Sequence, residues 1–248
     1  MSNVKVKVLG SGNAFNQGSR LNSSYVIYSK NLKILIDCGF TVPLALQQHG
    51  IAFNEIDAVL ITHYHGDHFA GLAALLLALK YVSKQKKQLI IAGPGDVKQK
   101  VHELITVLYA GSEDVFQDLD IKYHSIEESF KLEEITVNAI PMIHSDESLP
   151  HGFVLRFKTL TIGFSGDTCW HDGVEDLINK SDATFLECNF AGKVGKGHIS
   201  VEELEASKLI QTKKENIYLT HLSDVSLDLA SKKGYCCIKD GQEFDFSF

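Results

Sequence analysis

Three histidines and an aspartate crowd into a six-residue stretch that follows an apolar run at residues 58–61. They are His63, His65, Asp67 and His68. Imidazole nitrogens and carboxylate oxygens are ligands that zinc, manganese and iron accept. A leucine-rich segment with helical spacing follows, so the cluster lies on a strand-to-helix turn. Solvated histidines that cluster by chance are not expected directly after a buried strand. The pattern therefore predicts a metal site, with a geometry suited to two metals held close together.

Three further residues of ligand type follow the ends of other apolar strand patterns, namely His144, Asp167 and His221. Side chains on rigid strand ends can meet at one point in space although they are far apart in sequence. A lone histidine is more often structural than a ligand, and a Gly-Asp turn is often only hydrogen-bonded. Their common position after strands, in chain order, favours the ligand interpretation. His151 is the alternative to His144, and the remaining histidines lack such a position.

The elements that must position these residues alternate between strands and helices. Period-two alternation and short apolar runs predict strands at residues 4–8, 25–28, 33–37, 89–92, 135–139, 152–157, 161–164, 183–186 and 217–220. Helical spacing predicts helices at 43–50, 69–80, 97–109, 174–179 and 201–211. Strand-rich halves with interspersed helices predict an α/β protein with two packed sheets covered outside by helices. No linker or repeat is evident, so we expect one domain over residues 1–248.

Composition excludes several classes of function. The net charge of −7 argues against a general polyanion binder, which would normally show a basic surface. The five cysteines are an odd number without zinc-finger spacing, and the start does not resemble a signal peptide, so we expect reduced thiols and a cytoplasmic location. No apolar run reaches the ~20 residues that a membrane helix needs.

The Thr-His-x-His-x-Asp-His motif at residues 62–68 resembles the signature of metallo-β-lactamase-fold hydrolases. Other segments are similar to ribonuclease Z and its relatives, over residues 8–226 with consistent spacing. They include Leu9-Gly10-Ser11-Gly12, residues 20–24, 35–39 and 141–153, Leu186-Glu187-Cys188-Asn189-Phe190 and Leu219-Thr220-His221-Leu222-Ser223. The resemblance implies a four-layer αβ/βα sandwich.

The resemblance also implies how the ligands are shared between two divalent metal ions. His63, His65 and His144 would hold the first ion, Asp67, His68 and His221 the second, and Asp167 would bridge both. Zinc is the expected metal, with manganese or iron as alternatives. The expected nucleophile is a hydroxide shared between the metals, because bound water loses a proton far more easily than free water. Asp67 would accept a hydrogen bond from it, and no serine-nucleophile elbow is present.

A second motif, Gly197-His198-Ile199-Ser200, precedes a helical pattern. Ser200 and Glu203 have the spacing of a capping box, so one interpretation is a helix start with an incidental histidine. The motif is also similar to a loop that ribonuclease Z places over its metals. That resemblance implies that His198 contacts the scissile phosphate and protonates the leaving oxygen. An ordinary histidine pKa of ~6.5 suits such a transfer.

The expected function is that of a dinuclear metal-dependent phosphodiesterase. Oxygen-reducing relatives typically carry Glu in place of His65, and zinc β-lactamases carry Cys in place of Asp167. Only 22 residues separate His144 from Asp167, where ribonuclease Z of the common bacterial type inserts an arm that grips tRNA. Small phosphodiesters, such as cyclic nucleotides or short nucleic-acid fragments, are therefore the expected substrates. A thioester or lactone hydrolase and a non-catalytic metal-binding protein are the alternatives. The resemblance also implies a homodimer.

Overall fold

The computed structural model describes residues 3–84, 87–192 and 197–247, and their strands form two seven-stranded sheets. The first sheet contains β1 (Asn3–Gly10), β2 (Ser24–Ser29), β3 (Leu32–Ile36), β4 (Ala58–Leu60), β5 (Leu89–Gly93), β6 (Ile121–Ser125) and β14 (Glu243–Ser247). Its strand order is β14-β1-β2-β3-β4-β5-β6. Strands β3 to β6 run parallel, and β14, β1, β2 and β3 pair antiparallel.

The second sheet is built in the same way from the rest of the chain. It contains β7 (Phe130–Leu132), β8 (Ile135–Pro141), β9 (His151–Arg156), β10 (Thr161–Phe164), β11 (Ala183–Glu187), β12 (Ile217–Thr220) and β13 (Cys236–Cys237). Its order is β13-β12-β11-β10-β9-β8-β7. Strands β7 to β10 pair antiparallel and β10 to β13 pair parallel.

Helices cover the outer face of each sheet. The first half contains α1 (Val42–Gln48), α2 (Gly66–Phe69), α3 (Gly71–Tyr81), α4 (Val97–Leu108) and α5 (Val115–Asp118). The second half contains α6 (Asp172–Asn179), α7 (Val201–Ala206), α8 (Lys208–Lys213) and α9 (Asp224–Lys232). One apolar core lies between the sheets and one lies between each sheet and its helices. The expected four-layer αβ/βα sandwich is thus confirmed.

The apolar patterns explain why these segments form the layers. Val4, Val6 and Val8 face the core between the sheets, where Phe153, Phe164 and Phe185 are also fully buried. Strands β4, β10 and β11 are buried along their whole length, because helices cover one face and the other sheet covers the opposite face. Their ends are therefore rigid supports for side chains beyond them.

The sequence-based elements agree with the structure apart from the sheet edges, the helix expected at residues 201–211, and the helices α5 and α9, which the sequence patterns did not predict. The strands β6, β7, β13 and β14 were not expected, because edge strands keep one side exposed and need fewer apolar residues. The single helix expected at residues 201–211 is wrong. Ser207 breaks it, and its Oγ accepts a hydrogen bond from Ile210 N at 3.3 Å to start α8.

Two expectations from composition concern cysteines and membrane helices. All five cysteines are free thiols. Within the described ranges, no helix combines the length and apolar character needed to cross a membrane.

Candidate metal centre

The seven residues expected to be ligands lie at one edge of the sandwich. His63 follows β4, His144 follows β8, Asp167 follows β10 and His221 follows β12. The strands β4, β10 and β12 belong to the parallel parts of the two sheets, so their carboxyl ends meet at this edge. The first sheet supplies the segment 63–68 and the second supplies the other three residues. The fold thus brings together residues as far apart in sequence as His63 and His221.

The turn between β4 and α2 is shaped by a buried carboxylate at the end of β3. Asp37 accepts hydrogen bonds from Thr62 N at 2.7 Å and Thr62 Oγ1 at 2.9 Å. Its Oδ2 also lies 2.7 Å from His68 Nδ1. Asp37 is therefore joined to both ends of the histidine-rich turn, and it holds the ring of His68 in a fixed orientation. His63 and His65 themselves lie between the end of β4 and the start of α2.

The side chains form two groups that share Asp167. The first group is His63, His65, His144 and Asp167, and the second is Asp67, His68, Asp167 and His221. In each group the candidate ligand atoms lie within 4.8 Å of one another. These are the two sets of residues that the resemblance implies.

Distances within each group are those of atoms that could contact a common ion. In the first group, His144 Nε2 is 3.0 Å from His65 Nδ1, and His63 Nε2 is 3.8 Å from Asp167 Oδ2. In the second, His221 Nε2 is 3.2 Å from Asp67 Oδ2 and 3.4 Å from Asp167 Oδ2. His68 Nε2 lies 3.3 Å from Asp167 Oδ1. The carboxylate of Asp167 therefore faces both groups. Its Oδ2 lies near His63 and His221, and its Oδ1 lies near His68.

Hydrogen bonds on the outer sides of the rings determine which nitrogen faces inward. His144 Nδ1 lies 2.7 Å from Gly197 O, and a carbonyl oxygen only accepts, so Nδ1 carries the proton. The Asp37 carboxylate imposes the same tautomer on His68. In both residues Nδ1 is thus anchored on the outer side of the ring and Nε2 faces the cluster. This arrangement, in which an outer acceptor orients a ligand histidine, is typical of metal sites.

The buried polar atoms of the cluster fit a divalent cation. His63 Nε2, His68 Nε2 and Asp167 Oδ1 are buried without a well-aligned hydrogen bond to any described residue. Burial lowers the pKa of His63 well below its ordinary value, which favours the neutral imidazole that metals bind. Burial opposes ionisation of Asp67 and Asp167, but neighbouring histidines outweigh it and hold both pKa values well below the usual range. Two buried carboxylates and inward-facing imidazole nitrogens make a donor set for zinc or manganese.

His198 lies beside both groups. Its ring centroid is 4.7 Å from that of His144 and 5.3 Å from that of His221. Its Nδ1 is 2.9 Å from Oε1 of Glu187, which is 1% exposed. Burial lowers the pKa of His198, but the Glu187 carboxylate more than compensates and the pKa rises to about 9. The capping box expected at this loop is also present, since Ser200 and Glu203 exchange hydrogen bonds at 3.0 and 3.3 Å.

Sequence reasoning gave no role to three polar residues that support the site. Asp37 directly follows β3 and Glu187 is the last residue of β11, close to the strand-end position that pointed to the ligands, and this signal could have found them. The third is Asp240, whose Oδ1 accepts hydrogen bonds from Ser11 N at 2.8 Å and Ser11 Oγ at 2.7 Å. Ser11 O in turn accepts from His221 N at 3.0 Å. No local pattern marks Asp240, because its partner is 229 positions away.

The other histidines lie outside both groups. His151 belongs to neither group, and its Nδ1 is 2.9 Å from Leu149 O. His102 stacks on Phe116 and His124 on Phe130, at centroid distances of 3.7 and 5.0 Å. His102 and His124 thus pack against aromatic rings and belong to neither group.

Comparisons with known proteins agree with this architecture. A model of the family described as anti-Pycsar protein Apyc1 matches residues 4–244. The chain is 25% identical over 243 residues to the anti-Pycsar protein Apyc1 of Bacillus phage BSP38, with 93% of each chain covered. It is 33% identical over 158 residues to ribonuclease Z of Clostridium acetobutylicum, covering 62% of this chain and 51% of that one. The crystal structure of the metallo-β-lactamase-fold protein YhfI from Bacillus subtilis superimposes with a TM-score of 0.77 at 24% identity, over 98% of this chain and 100% of that chain. The resemblance to metallo-β-lactamase-fold proteins of the ribonuclease Z type is confirmed.

Proposed function

Since the chain belongs to the family of the anti-Pycsar protein Apyc1, and its fold is that of metallo-β-lactamase proteins, we propose that it is a dinuclear metal-dependent phosphodiesterase. His63, His65 and His144 would hold one divalent ion, and Asp67, His68 and His221 the other, with Asp167 shared. Zinc is the preferred metal, and manganese or iron would suit the same donors. Small phosphodiesters such as cyclic nucleotides are the proposed substrates.

The observation that carries this proposal is the place of His198. Its ring lies between His144 of the first group and His221 of the second, at 4.7 and 5.3 Å. A histidine anchored through Nδ1 to a buried carboxylate keeps its opposite nitrogen, Nε2, available as a donor. Such a donor complements the charge of a phosphoryl group and can protonate a leaving alkoxide. A thioester has less need of this group, because a thiolate leaves without protonation, and a lactone carries no phosphoryl charge for the imidazole to complement.

In the proposed reaction the metal ions, Asp67, His198 and Glu187 have different roles. When bound, the two ions supply an acidified water and stabilise negative charge on the phosphoryl oxygens. Asp67, ionised and held near His68 and His221, can accept a hydrogen bond from the attacking water and orient it. His198 contacts a phosphoryl oxygen and gives a proton to the leaving oxygen. Glu187 holds His198 in position and does not itself contact the substrate.

The short connection between His144 and Asp167 supports small substrates. Residues 145–166 form only a 3-10 turn and the strands β9 and β10, with Phe157 N donating to Leu160 O across the tight connection. This connection offers no extended segment to grip a distant part of a large RNA. The name of the relative ribonuclease Z denotes cleavage of RNA, which is also a phosphodiester, and so supports the same type of bond.

Three broader assignments accompany the proposal. We propose that residues 1–248 form one hydrolase domain, since the core between the sheets joins β1 and β14 to the second half of the chain. We propose a cytoplasmic location from the five free thiols. A homodimer is proposed from the family resemblance, and Tyr81 and Val82 provide exposed apolar surface for it at the end of α3.

Hydrolysis of a matched substrate panel tests the function. Purified protein loaded with zinc or manganese should cleave a cyclic nucleotide and a nitrophenyl phosphodiester. A chromogenic thioester and a chromogenic lactone should be hydrolysed slowly. Asp167→Ala is the control, because contaminating hydrolase activity would survive this substitution. Preferential cleavage of the thioester or lactone would favour the alternative hydrolase. Metal binding without any turnover would favour a non-catalytic protein.

A further inference from the structure

A small buried cavity lies on the core side of the candidate metal centre, between the two sheets. Tyr25 of β2 lines it from the first sheet, and Thr220 and His221 line it at the end of β12. It offers about 20 Å³ to the centre of a water molecule, and one buried water needs roughly 10–15 Å³ of such space. His63 and Asp67 do not line it, so the cavity lies behind the candidate ligands rather than among them.

The ring of His221 reaches this cavity with one nitrogen that lacks support. Its Nε2 faces the cluster, 3.2 Å from Asp67 Oδ2, while its Nδ1 is buried without a well-aligned hydrogen bond to any described residue. In the same group, Nδ1 of His68 lies 2.7 Å from Asp37 Oδ2. Histidines that bind metals almost always donate their other ring N–H to an acceptor. His221 therefore needs an acceptor on the side of the cavity.

Such an acceptor would control the direction of the His221 ring. The backbone amide of His221 donates to Ser11 O at 3.0 Å, and one face of the ring stacks on His198 at a centroid distance of 5.3 Å. These contacts hold the residue in place, but rotation of the ring about its Cβ–Cγ bond would still turn Nε2 away from the cluster. A hydrogen bond at Nδ1 opposes this rotation.

Tyr25 brings a second polar group of the same kind to the cavity. Its side chain is 5% exposed, and its Oη also has no well-aligned hydrogen bond to a described residue. The rings of Phe164 and Phe185 pack against it, each at a centroid distance of 5.0 Å. Burial raises the pKa of Tyr25, and the neighbouring Thr220 hydroxyl only partly opposes this, so the phenol keeps its proton. The hydroxyl can thus both donate and accept a hydrogen bond.

We propose that one buried water molecule occupies this cavity and joins His221 Nδ1 to Tyr25 Oη. The water accepts a hydrogen bond from the imidazole N–H and shares another with the phenol. Glu187 and Thr220, which also line the cavity, offer oxygens for its remaining hydrogen bonds. Tyr25 is then a positioning residue that acts through the water on His221. This inference rests on the role of His221 as a metal ligand in the proposed function.

Tyr25→Phe tests the water bridge, because it removes one hydroxyl and keeps the ring that packs in the core. Tyr28→Phe is the matched control. It removes the same atom from the same strand, but Tyr28 packs on the other face, between the first sheet and its helices. Competition with a chromophoric chelator gives the two stepwise zinc dissociation constants of each protein. NMR of the zinc-loaded protein follows the exchange of the His221 imidazole N–H with solvent.

Tyr25→Phe should weaken one of the two zinc constants roughly 10-fold, the lower end of the range for a ligand histidine that loses its outer partner. The other constant should not change, because His221 belongs to the second group only. The imidazole N–H of His221 should exchange faster. The Tm of the zinc-saturated protein should fall, since the lost hydroxyl was hydrogen-bonded to water. Tyr28→Phe should leave both constants and the exchange rate at the values of the wild type.

Three results would count against the inference, and they are distinguishable. Unchanged zinc constants in Tyr25→Phe, or a raised Tm, would refute the water bridge, because removal of a buried hydroxyl without a partner stabilises a protein. Equal weakening of both constants would refute a role specific to His221. A wild-type chain that binds fewer than two zinc ions in excess zinc would instead refute the ligand assignment of the proposed function.

Discussion

The pair formed by Glu187 and His198 permits a sharp test of the proposed chemistry. Glu187 Oε1 accepts hydrogen bonds from His198 Nδ1 at 2.9 Å and Thr168 N at 3.0 Å, and Oε2 accepts from Asn189 N at 3.0 Å. In Glu187→Gln the acceptor for His198 remains but its charge is lost. The free energy of a charged hydrogen bond exceeds that of a neutral one by about 1–1.5 kcal/mol. If this difference stabilises the transition state, kcat/KM should fall roughly 5- to 15-fold.

A double-mutant cycle separates a positioning role of Glu187 from a general structural one. His198→Ala should lower kcat/KM by ~10²–10⁴-fold for a substrate with an alkoxide leaving group, and less for one that releases nitrophenolate. If Glu187 acts through His198, then Glu187→Gln should have no further effect once His198 is alanine. Both single variants should keep the metal content of the wild type, because neither residue belongs to the seven proposed ligands.

Glu203→Gln is the matched control for this cycle. It makes the same chemical change in the first turn of α7, where Glu203 forms the capping box with Ser200. Activity in this variant should stay near that of the wild type, with at most a small loss of stability. Multiplicative losses in the double variant of Glu187 and His198, or a loss of metal in either single variant, would refute the reasoning.

The remaining predictions concern the metals and substrate size. Elemental analysis of gently purified protein should approach two divalent ions per chain, and a value near zero that added metal cannot raise would contradict the ligand assignment. Asp167→Ala should lose metal and activity together, so full occupancy and turnover in this variant would rule out a bridging role. Asp37→Asn should weaken metal binding ~10–100-fold in a chelator competition, as expected when a ligand histidine loses its orienting acceptor, and unchanged affinity would mean that His68 is held by other contacts. Small phosphodiesters should be cleaved well and a precursor tRNA poorly, whereas efficient precursor cleavage would mean that another surface grips the RNA.

Much of the fold could be predicted because the central strands are buried on both faces. Short apolar runs such as those of β4, β10 and β11 are typical of central strands in a layered α/β protein. The edge strands were not predicted, because they are more exposed or very short. In β6 the residues Ile121 to Ser125 are partly or fully exposed, and β13 spans only two residues, so their pairing depends on the neighbouring strand rather than on their own pattern.

The same contrast holds within the candidate site. The cluster from His63 to His68 is recognisable because its members are local in sequence. Glu187 could not be connected to His198 from the sequence, since 11 positions separate them and the contact depends on how the loop folds back over β11. Asp240 is further removed, because its partner Ser11 lies near the other end of the chain. The partners of supporting residues such as Glu187 and Asp240 can be identified only from the folded structure.

The distribution of ligands between the sheets explains why this edge needs such supports. Each group draws on both halves of the chain, since His63 and His65 meet His144 in the first group, and Asp67 and His68 meet His221 in the second. The relative position of the sheets therefore determines the geometry of both groups. Ser11, in the loop after β1, accepts from the amide of His221, and Asp240 holds Ser11 in place. This chain of hydrogen bonds connects a loop of the first sheet to a ligand of the second at the site itself. A small displacement between the sheets would thus alter both groups at once, and contacts such as these restrain it.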